Sequence, residues 1–338
     1  MPRPPFSAYS ACARLPVRLP GPNDACPFLG EGAGGGGEGH CPNRVTGQEF
    51  AIAIDLAAGC EGKSRSGCGG NLVSGCRALA RHAFMATRLR LNILPQPDDT
   101  VCGPTCLHAI YRFFGDELSL GDIIRQTPRL DEGGTLSVML ACHALDRGYQ
   151  ADMYTFNLRV FDPTWFRLSP TEISAKLEAQ MAVKSGEKLQ LACRAYQQFI
   201  SKGGRVHMED LTVSLIRRYL VRDIPILTGL SSTYLYGDAR EIGRTCQADD
   251  VRGEAAGHFV VLCGYDRVQR RVLVADPYLP NPLGEGHYYE VTLERLVCAI
   301  LLGVLTYDAN LLILRPRGRN LPPEELAKGV EVESGSQA

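Results

Sequence analysis

From Leu89 onward the apolar residues recur with two different periods, and the changes between them mark out a mixed α and β protein. Over 104–114, Leu107, Ile110, Tyr111 and Phe114 fall at i, i+3, i+4 and i+7, which is one face of a helix. Pro104 fits the first helical turn, where its missing N–H costs nothing, and Gly115 fits the stop. Ser119 is placed to cap a short helix ending at Gln126, and Thr135 to cap another over 136–147, closed by Gly148. Residues 211–221 read as an amphipathic helix. The runs 90–94, 149–156, 224–230, 288–291 and 309–314 read as strands.

Residues 258–265 and 271–276 predict a β-hairpin around the polar stretch 266–270. Centring that loop on Val268 sets Asp276 opposite Val260. His258 is then the diagonal neighbour of Asp276 on the same face, within reach of a side-chain hydrogen bond.

Two stretches have a different texture. Residues 1–85 hold a glycine run at 32–37, many prolines and six cysteines, with little sustained periodicity. They read as a disordered low-complexity extension, or as sequence upstream of a start at Met85. A single domain is expected over 86–316, followed by a flexible tail over 317–338. Within the domain, 170–204 predicts two polar-faced helices split by Ser185-Gly186, and it reads as an insertion because the motif residues lie on either side of it.

Composition narrows the functional classes. Of 338 residues, 45% are hydrophobic and 22% charged, with 36 basic against 37 acidic side chains. That balance gives no electrostatic case for nucleic acid or for an anionic membrane surface. No stretch approaches the ~20 apolar residues of a membrane span. Residues 296–305 come nearest. The first thirty residues show no apolar core of a secretory signal. Thirteen cysteines without such a signal fit reduced thiols in a cytoplasmic protein better than a disulfide framework.

The chemistry concentrates in a few places. Gln96-Pro97-Asp98-Asp99-Thr100-Val101-Cys102-Gly103-Pro104-Thr105 joins a glutamine to a cysteine at the mouth of the first predicted helix. Gly257-His258-Phe259 and Asp276-Pro277 follow downstream. In that order the four residue types supply an oxyanion donor, a thiol nucleophile, a general base and a carboxylate to orient the base. The attacking species is the thiolate, which a helix N-terminus and an imidazolium at His258 both favour. The Cys102 backbone N–H and the Gln96 side-chain amide are the natural oxyanion donors, each worth about 3 kcal/mol of barrier. His258 then serves the leaving amine and the incoming water, with Asp276 holding its tautomer.

The remaining polar residues have plainer readings. Cys106, one turn beyond Cys102, reads as packing, and a Cys-x3-Cys pair without a second knuckle does not make a structural zinc site. His108, His143, His207 and His287 read as surface or hydrogen-bonded histidines. Tyr234 and Tyr236 read as core or groove-rim residues, and Asp98 and Asp99 as solvent-facing.

Gln96, the Cys102-Gly103-Pro104-Thr105 helix start, Gly257-His258-Phe259-Val260-Val261 and Ala275-Asp276-Pro277 resemble, in order, the papain-like cysteine peptidase superfamily. Within it they are similar to the stand-alone form of the bacterial double-glycine-leader (bacteriocin-processing) peptidases. The resemblance spans 89–316. It implies Cys102 as nucleophile, His258 as base, Asp276 as its orienting carboxylate and Gln96 as oxyanion donor. It also implies a papain-like α+β fold, with a helical lobe carrying Cys102 packed on an antiparallel sheet carrying His258 and Asp276. The expected activity is hydrolysis of a peptide or protein substrate through a thioester acyl-enzyme, without metal or organic cofactor. Two other uses of the same residues stay open: an acyltransferase with an amine or thiol acceptor, and an inactive peptide-binding module.

Overall fold

The element at the centre of the fold is the first helix. In a computed structural model that describes residues 86–317, Glu132 excepted, α1 (Cys102–Phe113) is buried at every position from Cys102 to Tyr111. The i, i+3, i+4 stripe accounts for one face only. The other faces are lined by small side chains, Gly103, Thr105, Cys106 and Ala109, which let neighbouring elements close over them. Each fully buried large apolar residue, such as Leu107 or Ile110, contributes about 1.5–3 kcal/mol of transfer free energy. The expectations for 1–85 and for the tail beyond 317 lie outside the described residues.

α1 packs against an eight-stranded sheet. Its strands are β1 (Ala86–Arg88), β2 (Tyr149–Thr155), β3 (Arg205–His207), β4 (Ile226–Ser231), β7 (Gly257–Asp266), β8 (Arg271–Ala275), β9 (Tyr288–Thr292) and β10 (Asn310–Pro316). The spatial order is β3-β2-β10-β4-β7-β8-β9, with β1 paired to the far end of β7. Every pairing is antiparallel except β2 with β3. A separate two-stranded ribbon joins β5 (Glu241–Ile242) and β6 (Gln247–Ala248). The architecture is therefore α+β, with a helical region set against an antiparallel sheet.

Five more predicted helices are present: α2 (Leu120–Gln126), α3 (Ser137–Asp146), the pair α4 (Pro170–Val183) and α5 (Glu187–Ser201), and α6 (Val213–Leu220). The Ser119 side chain accepts from the Asp122 N–H, the cap read from sequence. Ser169 and Glu172 add a reciprocal capping box at the start of α4.

Two local expectations are corrected. The strand expected at 90–94 lies earlier, at β1. The following chain sends Leu89, Leu91 and Ile93 into the core without a ladder of its own, so the alternation was a burial signal and not a pairing signal. Thr135 does not cap α3: its hydroxyl donates to the Pro128 carbonyl at 2.8 Å, and Leu136 holds the cap position without a side-chain bond. Much of the apolar run 296–305 belongs to a ten-residue helix, α7 (Leu293–Leu302), which passes into a 3₁₀ turn over Gly303–Thr306. No helix of the described residues is long and apolar enough to cross a membrane.

The hairpin β7–β8 carries the register on which the site depends. Near its turn Asp266 pairs with Arg271 and Gly264 with Leu273, but beyond the turn Leu262 pairs with Val274 and Val261 with Ala275. The extra residue, Cys263, is a β-bulge. A one-residue slip turns a strand's side chains to the opposite face. The bulge thus places Asp276, next after Ala275, on the face of Val260 and His258.

Candidate functional site

The segment before α1 is fixed by its own polar residues. Asp98 Oδ1 accepts from the Thr100 N–H at 2.8 Å and the Thr100 hydroxyl at 2.6 Å, a tight turn rather than a merely solvated acid. The Gln96 N–H donates to the Pro277 carbonyl at 2.9 Å, which ties this loop to the residue after Asp276. The Gln96 side-chain amide donates to Asp98 O at 3.0 Å, and its Oε1 is buried without a partner. Cys102 is the first residue of α1, two residues earlier than the predicted start at Pro104. No side chain caps this helix, so no cap occupies its first-turn amides.

Opposite, β7 presents His258. Its Nε2 donates to Asp276 Oδ1 at 2.8 Å, with His258 only 7% and Asp276 0% exposed. The Cys102 thiol lies close enough to the same imidazole to raise its pKa. With Nε2 engaged by Asp276, Nδ1 is the nitrogen left for the sulfur. The fold thus joins His258 to Asp276, sets Cys102 near the same imidazole, and ties the Gln96 backbone to Pro277.

Burial alone would lower the His258 pKa. The charges of Asp276 and Cys102, with hydrogen bonds to both, outweigh it and raise the value to about 10. Burial pushes Asp276 the other way, but the His258 charge and its hydrogen bond, with two tyrosine hydroxyls, bring it down to about 2. Over the whole neutral range the pair is therefore imidazolium and carboxylate.

Several partners of Asp276 were not read from sequence. Its Oδ2 accepts from the Tyr236 and Tyr289 hydroxyls, both at 2.7 Å, and its Oδ1 also accepts from the Tyr278 N–H at 2.9 Å. Burial and then the Asp276 charge hold both phenols well above their ordinary pKa, so they remain donors. Tyr236 comes from a π-helical turn, Thr233–Gly237, whose Tyr234 and Leu235 carbonyls each accept from the Arg295 guanidinium of α7 at 2.9 Å. Tyr289 was findable: it is an inward position of β9 opposite Val274, diagonal to Asp276. Nothing local marks Tyr236, whose partner lies forty residues away.

The other histidines divide. His287 brackets the Asp276 backbone, accepting its N–H at the carbonyl and contacting its carbonyl through Nδ1 at 2.7 Å. His143 meets Tyr111 and Gln126, and His207 meets Asp152. His108 is buried, with its Nδ1 unpartnered.

A thiol, an imidazolium and a buried carboxylate in line, on an α+β scaffold with the thiol opening a buried helix, define a cysteine-peptidase type of site. The Peptidase_C39 like family matches residues 88–296, and the chain belongs to that family of cysteine peptidases. Among solved structures, the peptidase domain of Streptococcus ComA, a bifunctional ABC transporter of a quorum-sensing pathway, is 13% identical with a TM-score of 0.32, covering 68% of this chain and 100% of that one. A double glycine motif protease from an AMS/PCAT transporter, in complex with its leader peptide, is 11% identical with a TM-score of 0.33, covering 68% and 94%. Xylellain, a cysteine protease from Xylella fastidiosa, is 14% identical with a TM-score of 0.36, covering 69% and 86%. No curated protein matches the chain.

Proposed function

We propose that the chain is a working cysteine peptidase in which Cys102 is the nucleophile, His258 the acid and base, Asp276 the carboxylate that orients it, and Gln96 an oxyanion donor. The observation that carries this reading is the hydrogen bond from the His258 ring to buried Asp276, with the Cys102 thiol close enough to the same ring to raise its pKa. The Cys102 sulfur adds to a peptide carbonyl carbon and pushes its π electrons onto oxygen. The Cys102 N–H and the second N–H of the Gln96 amide, which donates only one bond in the free protein, stabilise that oxyanion. The imidazolium gives its proton to the leaving nitrogen as the C–N bond breaks, leaving a thioester. His258 then takes a proton from water, hydroxide adds to the thioester, and the carboxylic acid departs as the thiolate is restored. Asp276 stays ionised throughout, consistent with its depressed pKa.

The test is stoichiometric labelling by an epoxysuccinyl inhibitor of thiol proteases, followed by peptide turnover. Labelling confined to Cys102 and abolished by Cys102→Ala is expected. Labelling that survives Cys102→Ala overturns the assignment.

A further inference from the structure

One cation of the fold stands where its own helix does not favour it. α7 follows the Thr292 cap, and Arg295 lies in its first turn, with its N–H donating to the Thr292 hydroxyl at 3.3 Å. The positive end of a helix suits an acid such as Glu294 and disfavours a cation. Among the described residues no carboxylate pairs with Arg295. Its guanidinium goes to backbone instead: Nε donates to the Leu235 carbonyl and Nη2 to the Tyr234 carbonyl, both at 2.9 Å. The same group lies over the Tyr234 ring, 5.4 Å from its centroid. A side chain at odds with its local setting marks a task set by the tertiary structure.

That task is to hold a turn whose last carbonyls lack donors. The π-helical turn Thr233–Gly237 is closed by the Asp238 N–H on the Thr233 carbonyl at 3.2 Å. The Tyr234 and Leu235 carbonyls come at its C-terminal end, where a helical turn has no N–H of its own left to offer. One planar fork supplies both donors, and its charge suits the negative end of the turn. The other end of the turn is tied to the strand of His258. The Thr233 hydroxyl accepts from the Ala256 N–H at 2.8 Å, and the Ser232 N–H donates to the Ala256 carbonyl at 3.0 Å. Ala256 is two residues before His258.

Tyr236 stands between these two ties. Its hydroxyl donates to Asp276 Oδ2 at 2.7 Å, and its ring lies 6.1 Å from the His258 ring and 6.2 Å from the Tyr278 ring, on which it stacks. The hydroxyl is at the far end of a long rigid side chain, so a small rotation of the turn carries it out of reach of the carboxylate. Arg295 itself touches none of Cys102, His258 or Asp276 through any hydrogen bond or ring contact among the described residues. It reaches them only through the turn.

Resting on the peptidase reading above, we propose that Arg295 is a positioning residue for the reaction. By fixing the 233–237 turn it keeps the Tyr236 hydroxyl on Asp276, and so keeps Asp276 and the His258 ring in their working orientation.

The experiment measures kcat and KM across pH on the best-cut member of a quenched-fluorescent peptide library. It compares the native full chain with Arg295→Met, Tyr236→Phe and the double variant. Arg295→Met should lower kcat by about tenfold, the usual cost of a lost hydrogen bond to a charge, with KM little changed. Against burial, the His258 charge and bond and then the Tyr236 bond hold the Asp276 carboxyl down. The acid limb should therefore move to higher pH in Arg295→Met as it does in Tyr236→Phe. The double variant should be no slower than Tyr236→Phe alone, because both changes remove the same contact. Should Arg295→Met not fold, Arg295→Gln takes its place in the same comparison. A full kcat with an unmoved acid limb, or an Arg295 loss that persists undiminished in the Tyr236→Phe background, overturns the proposal. In the Cys102→Ala protein the His258 N–H donated to Asp276 is followed separately as a downfield proton resonance, which Arg295→Met and Tyr236→Phe should both shift. A resonance that Tyr236→Phe shifts and Arg295→Met leaves in place also overturns it. Should no peptide be cut and Cys102 resist the epoxysuccinyl reagent, the peptidase reading fails, and the resonance then decides the role of Arg295 on its own.

Discussion

Cys106 stands one helical turn beyond Cys102, and its thiol donates to the Phe259 carbonyl at 3.2 Å. Burial, then the charges of Cys102 and Asp276, push its pKa well above the ordinary thiol value. Two cysteines four residues apart thus have opposite characters, one joined to an imidazolium and the other a neutral packing group. Cys106→Ala is expected to keep epoxysuccinyl labelling at Cys102 while losing about 1–3 kcal/mol of stability, since a buried carbonyl loses its donor. Mass spectrometry of the labelled protein and a denaturant titration check both halves. Loss of labelling in a folded Cys106→Ala protein contradicts it.

Removing the His258 imidazole should lower kcat/KM by about a hundredfold or more, the worth of a positioned acid and base. Asp276→Asn should cost less, because an asparagine oxygen still accepts from Nε2. It should also move the pH profile. Burial lowers the His258 pKa, and Asp276 is the largest influence opposing it. Without that charge the value falls from about 10, and the alkaline limb of kcat/KM shifts to lower pH. A limb that stays in place would show that Asp276 does not bear on the imidazole.

Tyr236→Phe and Tyr289→Phe each delete one of two hydroxyl donors on the same Asp276 oxygen. Each is expected to destabilise by about 1.5–3 kcal/mol, as for hydrogen bonds to a charge. Both should raise the Asp276 pKa. The double variant should depart from the sum of the singles, because the two share one acceptor. Denaturant titrations over the four-member cycle measure this. Strict additivity would mean that the two hydroxyls act independently.

Stability should have a plateau bounded by this pair. His258 has its folded pKa raised from 6.5 to about 10, so its contribution is full below 6.5 and disappears as pH rises through about 10. Asp276 has its folded pKa lowered from 3.8 to about 2, so its contribution is full above 3.8 and disappears as pH falls through about 2. The full term from both groups is present between 3.8 and 6.5. Melting temperature against pH for the native chain and for His258→Ala should differ most there and converge toward high pH. A constant difference up to pH 10 and beyond would exclude the linkage.

Much of the local structure was legible because its causes are local. The Ser119 cap, the helix pair split by Ser185-Gly186 and the β7–β8 hairpin each rest on residues near one another in the chain. Failures came where the partner was distant. Leu89, Leu91 and Ile93 alternate like a strand, yet burial and not pairing explains them. Thr135 has the chemistry of a cap and spends its hydroxyl on Pro128 instead.

By itself the sequence determined the family the chain belongs to and singled out Gln96, Cys102, His258 and Asp276, in that order, as residue types suited to its chemistry. Folding decided how those groups are supported. The Cys263 bulge turns Asp276 to the face of His258, and Arg295 pins the turn that delivers Tyr236. The reason is physical: periodicity and capping are short-range and written in adjacent residues. The field around a buried charge is set by whichever groups the whole chain packs against it.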